Sequence, residues 1–439
     1  MKKILIVTEH FAPNNEIAAV RITKFAKYFK LKGFHVGVVT RSLRSHEIID
    51  PILTGDLKYI DEYVVIVLKS ILTQKISYVS KKAGGVEGNS SENGIVTDLI
   101  NKLLSLLIAY YIKVKFAGSL DFYLKKLFIK KAKKHVKLLS KTYDVILTSC
   151  GAFSVNVLGI SAKRSNPNIK WIADILDPLI NNFQNKKHLP YYRWILKMIM
   201  ENADVITGVS EGNIEEFKDG FKGKKVVIND GFDEDDLNGI YFEKSEKFVL
   251  TYAGRLYSGM RDLSVVFKAI SELIREEKIN SNSIEIHYLG NEILCFASQV
   301  GYDLKEISFA CGQVDRELSL QQQLCSHVLL LASWNFTGYT GVITGKFYEY
   351  MMINRPIICT VTGNLPDSQL KQMITAANNG VVWEQANDET DYPVLKDYLL
   401  KQYQRYEAGL PLDFSPDREY IEQFKFDTLA NKFIELFNC

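Results

Sequence analysis

The sequence predicts an α/β protein made of two doubly wound domains. Three observations predict it. The chain has 439 residues, more than one ordinary core organises, so two domains are expected. Short apolar runs rich in Val and Ile alternate with amphipathic stretches in both halves. That is the pattern of parallel strands buried on both faces and joined by helices. The alternation is interrupted by a polar stretch, Asp233–Glu246, which sets a boundary near residue 235.

The first half supplies strand-like runs at Ile4–Thr8, Val36–Thr40, Val64–Leu68, Val145–Ser149, Trp171–Ile175, Val205–Val209 and Val226–Asn229. The opening MKKILIVTEH stays apolar for only five residues before Glu9 and His10, so it reads as a strand and not as a leader. A helix is expected over Ile17–Lys32, with Ile22, Phe25, Ala26 and Phe29 on one face and Gly33 as its stop. The second half repeats the pattern. Strands are expected at Phe248–Ala253, Ile284–Leu289, Ser308–Cys311, Val328–Ala332, Ile357–Val361 and Val381–Trp383, with helices at Leu263–Glu277, Arg316–Cys325, Gly345–Ile353 and Tyr392–Glu407. A last helix, Tyr420–Phe437, follows Pro411 and Pro416 and is expected to pack back on the first domain. The organisation is therefore 1–235, 236–415, and a C-terminal helix in 416–439.

One segment breaks the alternation, an insertion at about 95–140. Gly84–Gly94 has Val86 as its one apolar side chain and reads as a loop. A helix over Leu99–Phe116 would be apolar nearly all round, apart from Lys102, Ser105, Ala109 and Lys113. A second helix, Leu120–Leu139, is expected to set Leu124, Leu127, Phe128, His135 and Leu138 against Lys125, Lys126, Lys130, Lys133, Lys134 and Lys137. Residues 102–141 hold eleven Lys and one acid, while the whole chain nets only +3. The modest total argues against nucleic acid as partner. The local excess fits either a solvated helix face or an anionic membrane surface meeting residues 99–139. The longest apolar run, Leu103–Ile112, is too short to span a bilayer. None of the six cysteines forms a Cys-x-x-Cys pair and no zinc spacing is present. Reduced thiols in a cytoplasmic protein are the expectation, with a peripheral place on the inner face of the plasma membrane if the membrane alternative for residues 99–139 holds.

The chemistry concentrates in residues 340–357, TGVITGKFYEYMMINRPI. A Gly-rich turn enters a helix, and free N–H groups at a helix N-terminus suit phosphate. Lys346 adds a cation, and Glu349, about one turn on, is placed to accept from a ribose diol. Upstream, YAGRLYSGMRDL puts Arg255 and Arg261 in a strand-to-helix loop, where guanidinium groups can grip phosphate oxygens in pairs. Phosphate plus ribose points to a nucleotide, and the surrounding chain suggests a nucleotide sugar. Other features have plainer readings. The acidic run Asp233–Asp236 reads as a solvated linker rather than a metal site. His10 and His287 read as ordinary loop or strand residues. Trp334 and Tyr339 either stack on a ligand or pack.

Taken in order, AG-x-x-Y-x-G-x-R-D-L, the turn Gly312–Val314 and TGKFYEYMMINRPI resemble the nucleotide-binding half of GT-B glycosyltransferases of family 4, nearest the bacterial aminodeoxysugar-transferase type. KKILIVTEHFAP, YDVILTSCGAF, DILDP, ADVITGVSEGN and NDGFDEDDL are similar to that family's first half. The resemblance implies two Rossmann-like domains facing across a cleft. It also implies a retaining, metal-independent hexosyl- or aminodeoxyhexosyltransferase in surface polysaccharide synthesis, with a glycan or lipid-linked acceptor and no cofactor beyond its donor. Gly254, Arg255, Arg261, Gly341, Val342, Ile343, Thr344 and Lys346 would then hold the diphosphate, Glu349 the ribose, and Gln313 and Val314 the base. Asp177, with Arg261 and Lys346, would be catalytic, and Asn15, Arg21 and Asp174 would face the acceptor.

Three departures stand out. Gly341 occupies the place of a family Glu, Asn14–Asn15–Glu16 that of a glycine pair, and Leu176 that of a His. The missing Glu at 341 keeps a second reading open, a non-catalytic nucleotide-sugar-binding or scaffold protein. A nucleotide-sugar epimerase of redox type is disfavoured, because TEHFAPNNE stands where G-x-G-x-x-G is wanted.

Overall fold

A computed structural model describes residues 1–44, 47–68, 120–150, 155–180 and 189–438. The expected loop at Gly84–Gly94 and the expected helix Leu99–Phe116 lie outside the described residues.

Two parallel sheets organise the chain. The first holds β1 (Lys3–Thr8), β2 (His35–Arg41), β3 (Glu62–Ile66), β4 (Val145–Cys150), β5 (Lys170–Ile175), β6 (Val205–Gly208) and β7 (Lys224–Val227), in the order β3-β2-β1-β4-β5-β6-β7. The second holds β8 (Phe248–Ala253), β9 (Ile284–Leu289), β10 (Ser308–Gly312), β11 (Val328–Trp334), β12 (Ile357–Thr362) and β13 (Gly380–Glu384), in the order β10-β9-β8-β11-β12-β13. In each sheet the order reverses beside the first strand, at β1/β4 and at β8/β11. Such reversals open a crevice at the strands' carboxyl ends.

The continuous apolar runs follow from burial on both faces. In β1, Leu5 and Val7 join the cluster containing Phe128, Ala132 and Val136, while Ile4 and Ile6 join the opposite one containing Phe25 and Phe29. Successive side chains point to opposite faces, so a strand covered on both sides cannot alternate with polar residues. β3 is the exception. At the sheet edge it leaves Tyr63 and Val65 exposed, and the run expected at Val64–Leu68 begins earlier, at Glu62.

Helix Leu120–Leu139 forms as expected, but its buried face differs. Leu124, Phe128, Ala132 and Val136, four residues apart, pack on the sheet. His135 and Leu138, expected on that side, are exposed. Four-residue spacing follows the helical turn.

The last helix also differs. It divides into Arg418–Glu422 and Phe426–Asn438. The break lets Phe232 hydrogen-bond Phe424 O and Phe426 N, so the linker and the C-terminal segment cross between the lobes side by side. Phe426–Asn438 then lies on the first helix, Ile17–Leu31. Phe426, Phe433 and Phe437 set their rings 5.2, 4.8 and 5.1 Å from those of Phe25, Phe25 and Phe29. Truncating one such ring to Ala costs about 3–5 kcal/mol.

The linker itself corrects an expectation. Asp233 and Asp236 are buried, not solvated. Lys24, also buried, lies 2.7 Å from Asp56 and 3.0 Å from Asp233, and pairs with Asp236. Arg316 of the second lobe reaches the same Asp236 at 2.7 Å. Three clustered carboxylates would suit a metal ion, but here the Lys24 ammonium contacts all three. The cluster is a charged tie between the lobes and the linker.

Candidate active site in the interlobe cleft

The carboxyl ends of both sheets face one cleft of about 650 Å³, a size that suits a small-molecule ligand. Loops after β1, β5 and β7 supply Asn15, Glu16, Asp177 and Asp230. Loops after β8, β9, β10 and β11 supply Arg255, Arg261, Asn291, Gln313 and Val314, and the turn Val342–Lys346. The topology thus gathers residues more than 300 positions apart.

The second-lobe wall gathers cations and a helix N-terminus. Helix Gly345–Ile353 begins at the cleft, with Thr344 as its cap accepting from Lys346 N at 3.3 Å. Lys346 Nζ lies 2.7 Å from Glu349 Oε1, which also accepts from Gln323 at 2.7 Å. Burial opposes the charge on Glu349, yet Lys346 and Arg316 outweigh it and hold the carboxyl below its ordinary range. Arg255 and Arg261 complete the wall. Arg261 rests over the rings of Tyr257 and Trp334, 4.7 and 5.4 Å from their centroids. Among the described residues, neither Arg255 nor Arg261 has a carboxylate within ion-pair distance, whereas Arg21, Arg316 and Lys346 are all paired. The two arginines are therefore the cleft cations open to a new anion.

The first-lobe wall is acidic. Asp177 is half-buried, and its carboxyl is pushed up to about 6, first by burial and then by Asp230, with Lys125 opposing. Asp230 lies 3.0 Å from Arg21 and lines the cleft. Its carboxyl also sits above the ordinary range, because burial and Asp174 outweigh Arg21.

Asp174 requires correction, whereas Arg21 does line the cleft, with its guanidinium already engaged. Asp174 is fully buried and does not line the cleft. It accepts from Arg21, Ser149 and Thr207, the last two at 2.7 Å, so every bond it makes is internal. Arg21 is 1% exposed and is held by Asp174, Asp230, Ile228 O and Asn229 O. The pair braces the wall beneath Asp230. Asn15 does line the cleft, beside Glu16, whose carboxylate meets His10 at 3.0 Å.

Gly341 follows a different logic from the other predicted residues. Its φ is +71°, and a Cβ there would stand 2.9 Å from Gly212 N of the first lobe. A Cβ on Gly212 would meet Thr340 O at 2.3 Å. The lobes touch through bare backbone here, so this arrangement admits no carboxylate at 341. Gly341 forms a seam and is absent from the cleft wall, while Gly254, Val342, Ile343 and Thr344 remain in it.

Sequence reasoning missed Asp230, Arg316 and Asn291. Asp230 lies inside the quoted NDGFDEDDL, and its place after a strand was the available signal. Arg316 gave none, because its partners Asp236 and Asp50 are distant in sequence.

A scan against protein families and a search of curated proteins return no match. Solved structures do match over their whole length. The lipopolysaccharide outer core galactosyltransferase WaaB, in apo form, aligns over 99% of both chains with 13% identity and a TM-score of 0.54. A UDP-forming α,α-trehalose-phosphate synthase from Burkholderia vietnamiensis aligns over 100% of both at 9% identity and 0.56. A mutant of S. aureus TarM, in complex with fondaparinux, α-GlcNAc-glycerol and UDP, aligns over 100% of both at 12% identity and 0.58. The chain has the GT-B fold. At these identities the likeness speaks for architecture, and in a GT-B architecture the cleft described above lies between the two lobes. Among the described residues, no helix is long and apolar enough to cross a membrane.

Proposed function

We propose that this protein is a glycosyltransferase that moves a sugar from a nucleotide diphosphate donor, UDP-sugar by preference, to a glycan or lipid-linked acceptor in surface polysaccharide synthesis. One observation carries the reading. Two arginines without carboxylate partners, a helix N-terminus with Lys346, and a buried Glu349 converge in the interlobe cleft. Cations and amides aimed at one place stabilise a leaving diphosphate without needing a metal. Glu349 suits the ribose diol. In the proposed step the acceptor hydroxyl oxygen bonds to the anomeric carbon and the carbon–oxygen bond to the diphosphate breaks. The diphosphate leaves with the electron pair and takes up the hydroxyl proton. Retention of configuration rests on the family resemblance alone. Asp177, across the cleft, would hydrogen-bond the sugar or the incoming hydroxyl.

In the free protein Lys346 is engaged by Glu349. Donor binding would redistribute it toward the diphosphate and free an oxygen for the ribose. The exposed lysines of helix Leu120–Leu139 would hold the protein to the inner face of the membrane, beside a lipid-linked acceptor.

The test is a screen of the purified protein against nucleotide sugars, reading thermal shift and release of free nucleoside diphosphate. The expected result is a shift and turnover with a UDP-sugar. Stabilisation by a nucleotide sugar with no transfer to any glycan or lipid-linked acceptor would favour the non-catalytic reading. No response to any nucleotide would sink both.

A further inference from the structure

The loop that carries Arg255 and Arg261 is held by a carboxylate from another part of the lobe. Glu292, in the turn between β9 and helix Ile293–Val300, accepts from three successive backbone N–H groups: Leu256 at 2.6 Å, Tyr257 at 3.0 Å and Ser258 at 2.8 Å. Tyr257, Ser258 and Gly259 have φ of 51°, 53° and 92°. Left-handed backbone is unfavourable for Tyr and Ser and persists only where surroundings enforce it. It also turns successive N–H groups inward into an anion-binding hollow, and here the anion is the Glu292 side chain. Burial opposes its charge, but the three N–H groups and Arg255 outweigh that and hold the carboxyl below the ordinary range.

The rest of the loop is tied in the same way. Tyr252 donates to Arg255 O at 2.8 Å. Gln299, one helix turn or two beyond Glu292, donates to Arg261 O and accepts from Leu263 N, both at 3.0 Å. Thr362 and Thr360 donate to Met260 O and Asp262 O. The ring beneath the Arg261 guanidinium belongs to Tyr257, the middle residue of the turn that Glu292 holds. Glu292 itself is not part of the cleft wall.

We propose that Glu292 is a positioning residue: its carboxylate fixes the turn 256–259, with its left-handed backbone at 257–259, and so presents Arg255 and Arg261 to the donor diphosphate. The assignment rests on the nucleotide-diphosphate reading of the cleft. Its mechanical half, the pinned turn, is separable from that reading.

The experiment compares wild type with Glu292→Ala and Glu292→Gln in the full chain. Gln keeps the size and one acceptor oxygen but turns an N–H toward the hollow. Hydrogen exchange is read in peptides covering residues 255–263, and UDP and uridine are titrated separately. Both variants should exchange faster there. UDP should bind about tenfold more weakly to Glu292→Ala, the worth of roughly one charge-assisted phosphate contact, and by an intermediate factor to Glu292→Gln. Uridine, which lacks phosphate, should bind as in wild type. A merely structural role would weaken both ligands alike. Exchange at the wild-type rate overturns the proposal, as does unchanged UDP affinity or equal loss of UDP and uridine. A wild type that binds neither ligand overturns the nucleotide reading instead, and the exchange result then still decides whether Glu292 pins the turn.

Discussion

Replacing Asp177 with Asn should stabilise the protein while impairing it. The Asp177 carboxyl sits at about 6 in the folded protein against 3.8 for a free side chain. The folded state therefore keeps this proton to higher pH than the unfolded state does. Between about pH 4 and pH 6 the folded state binds more protons, so this group's contribution makes stability fall as pH rises. Below that window both states are protonated and the group costs nothing. Above it the full cost of a charged, crowded carboxylate applies. Two pKa units correspond to about 3 kcal/mol. That is an upper bound, because the side chain borders the open cleft and solvent screens part of the penalty. About 1–2 kcal/mol is the working expectation. Asn has the same shape and no charge at any pH. The stability difference between variant and wild type should thus be near zero at about pH 4, grow through the window and level off above about pH 6.5. Urea unfolding of both proteins across that range reads it directly. Sugar transfer should fall by roughly tenfold or more if the carboxylate meets a reacting hydroxyl. A difference that is flat with pH, or an Asn variant less stable at neutral pH, would refute the reasoning.

Four further outcomes are expected. Arg261→Ala and Lys346→Ala should each weaken UDP binding by about 1.5–3 kcal/mol and nearly abolish turnover, and Glu349→Gln should reduce the preference for ribo- over 2′-deoxyribonucleotides; folded variants with wild-type titration curves would remove the donor assignment. Lys24→Met strips the shared cation from Asp56, Asp233 and Asp236 and should cost about 3–5 kcal/mol in chemical denaturation, so an unchanged unfolding midpoint would show that the charged tie carries no stability. Of the six lysines expected to form one basic face, Lys130, Lys133, Lys134 and Lys137 are exposed, while Lys125 and Lys126 are half-buried, and Lys126 lies 3.3 Å from the Tyr191 ring centroid. Replacing those four with Gln should therefore release the protein from anionic vesicles, at about 1 kcal/mol per lysine, and a wild type that ignores such vesicles at low salt would end the membrane proposal.

The two-sheet architecture was legible in the chain alone. Burial on both faces forces unbroken apolar runs, and those runs are visible without coordinates. The local cluster of a glycine-rich turn, a helix start, Lys346 and Glu349 was legible too, because its members are neighbours along the chain. What the sequence could not show was which polar residues meet at a distance. Asp174 looked like a cleft residue because it precedes Asp177 by three positions. Asp174 lies inside β5 while Asp177 lies in the loop beyond its end, and only the pairing of β5 with β4 and β6 shows that Asp174 is enclosed by Ser149, Thr207 and Arg21. The run Asp233–Asp236 looked solvated because four acids in a row are costly to bury. Glu234 and Asp235 do stay exposed, but Asp233 and Asp236 are buried, and Lys24, Lys27 and Arg316, brought from both lobes, are what make the burial of those two tolerable. Gly341 looked like a lost carboxylate, and the reason for its glycine is the backbone of Gly212 in the other lobe. Local patterns are set by the chain's own periodicity, while charge compensation and close backbone approach depend on residues that only tertiary folding makes neighbours.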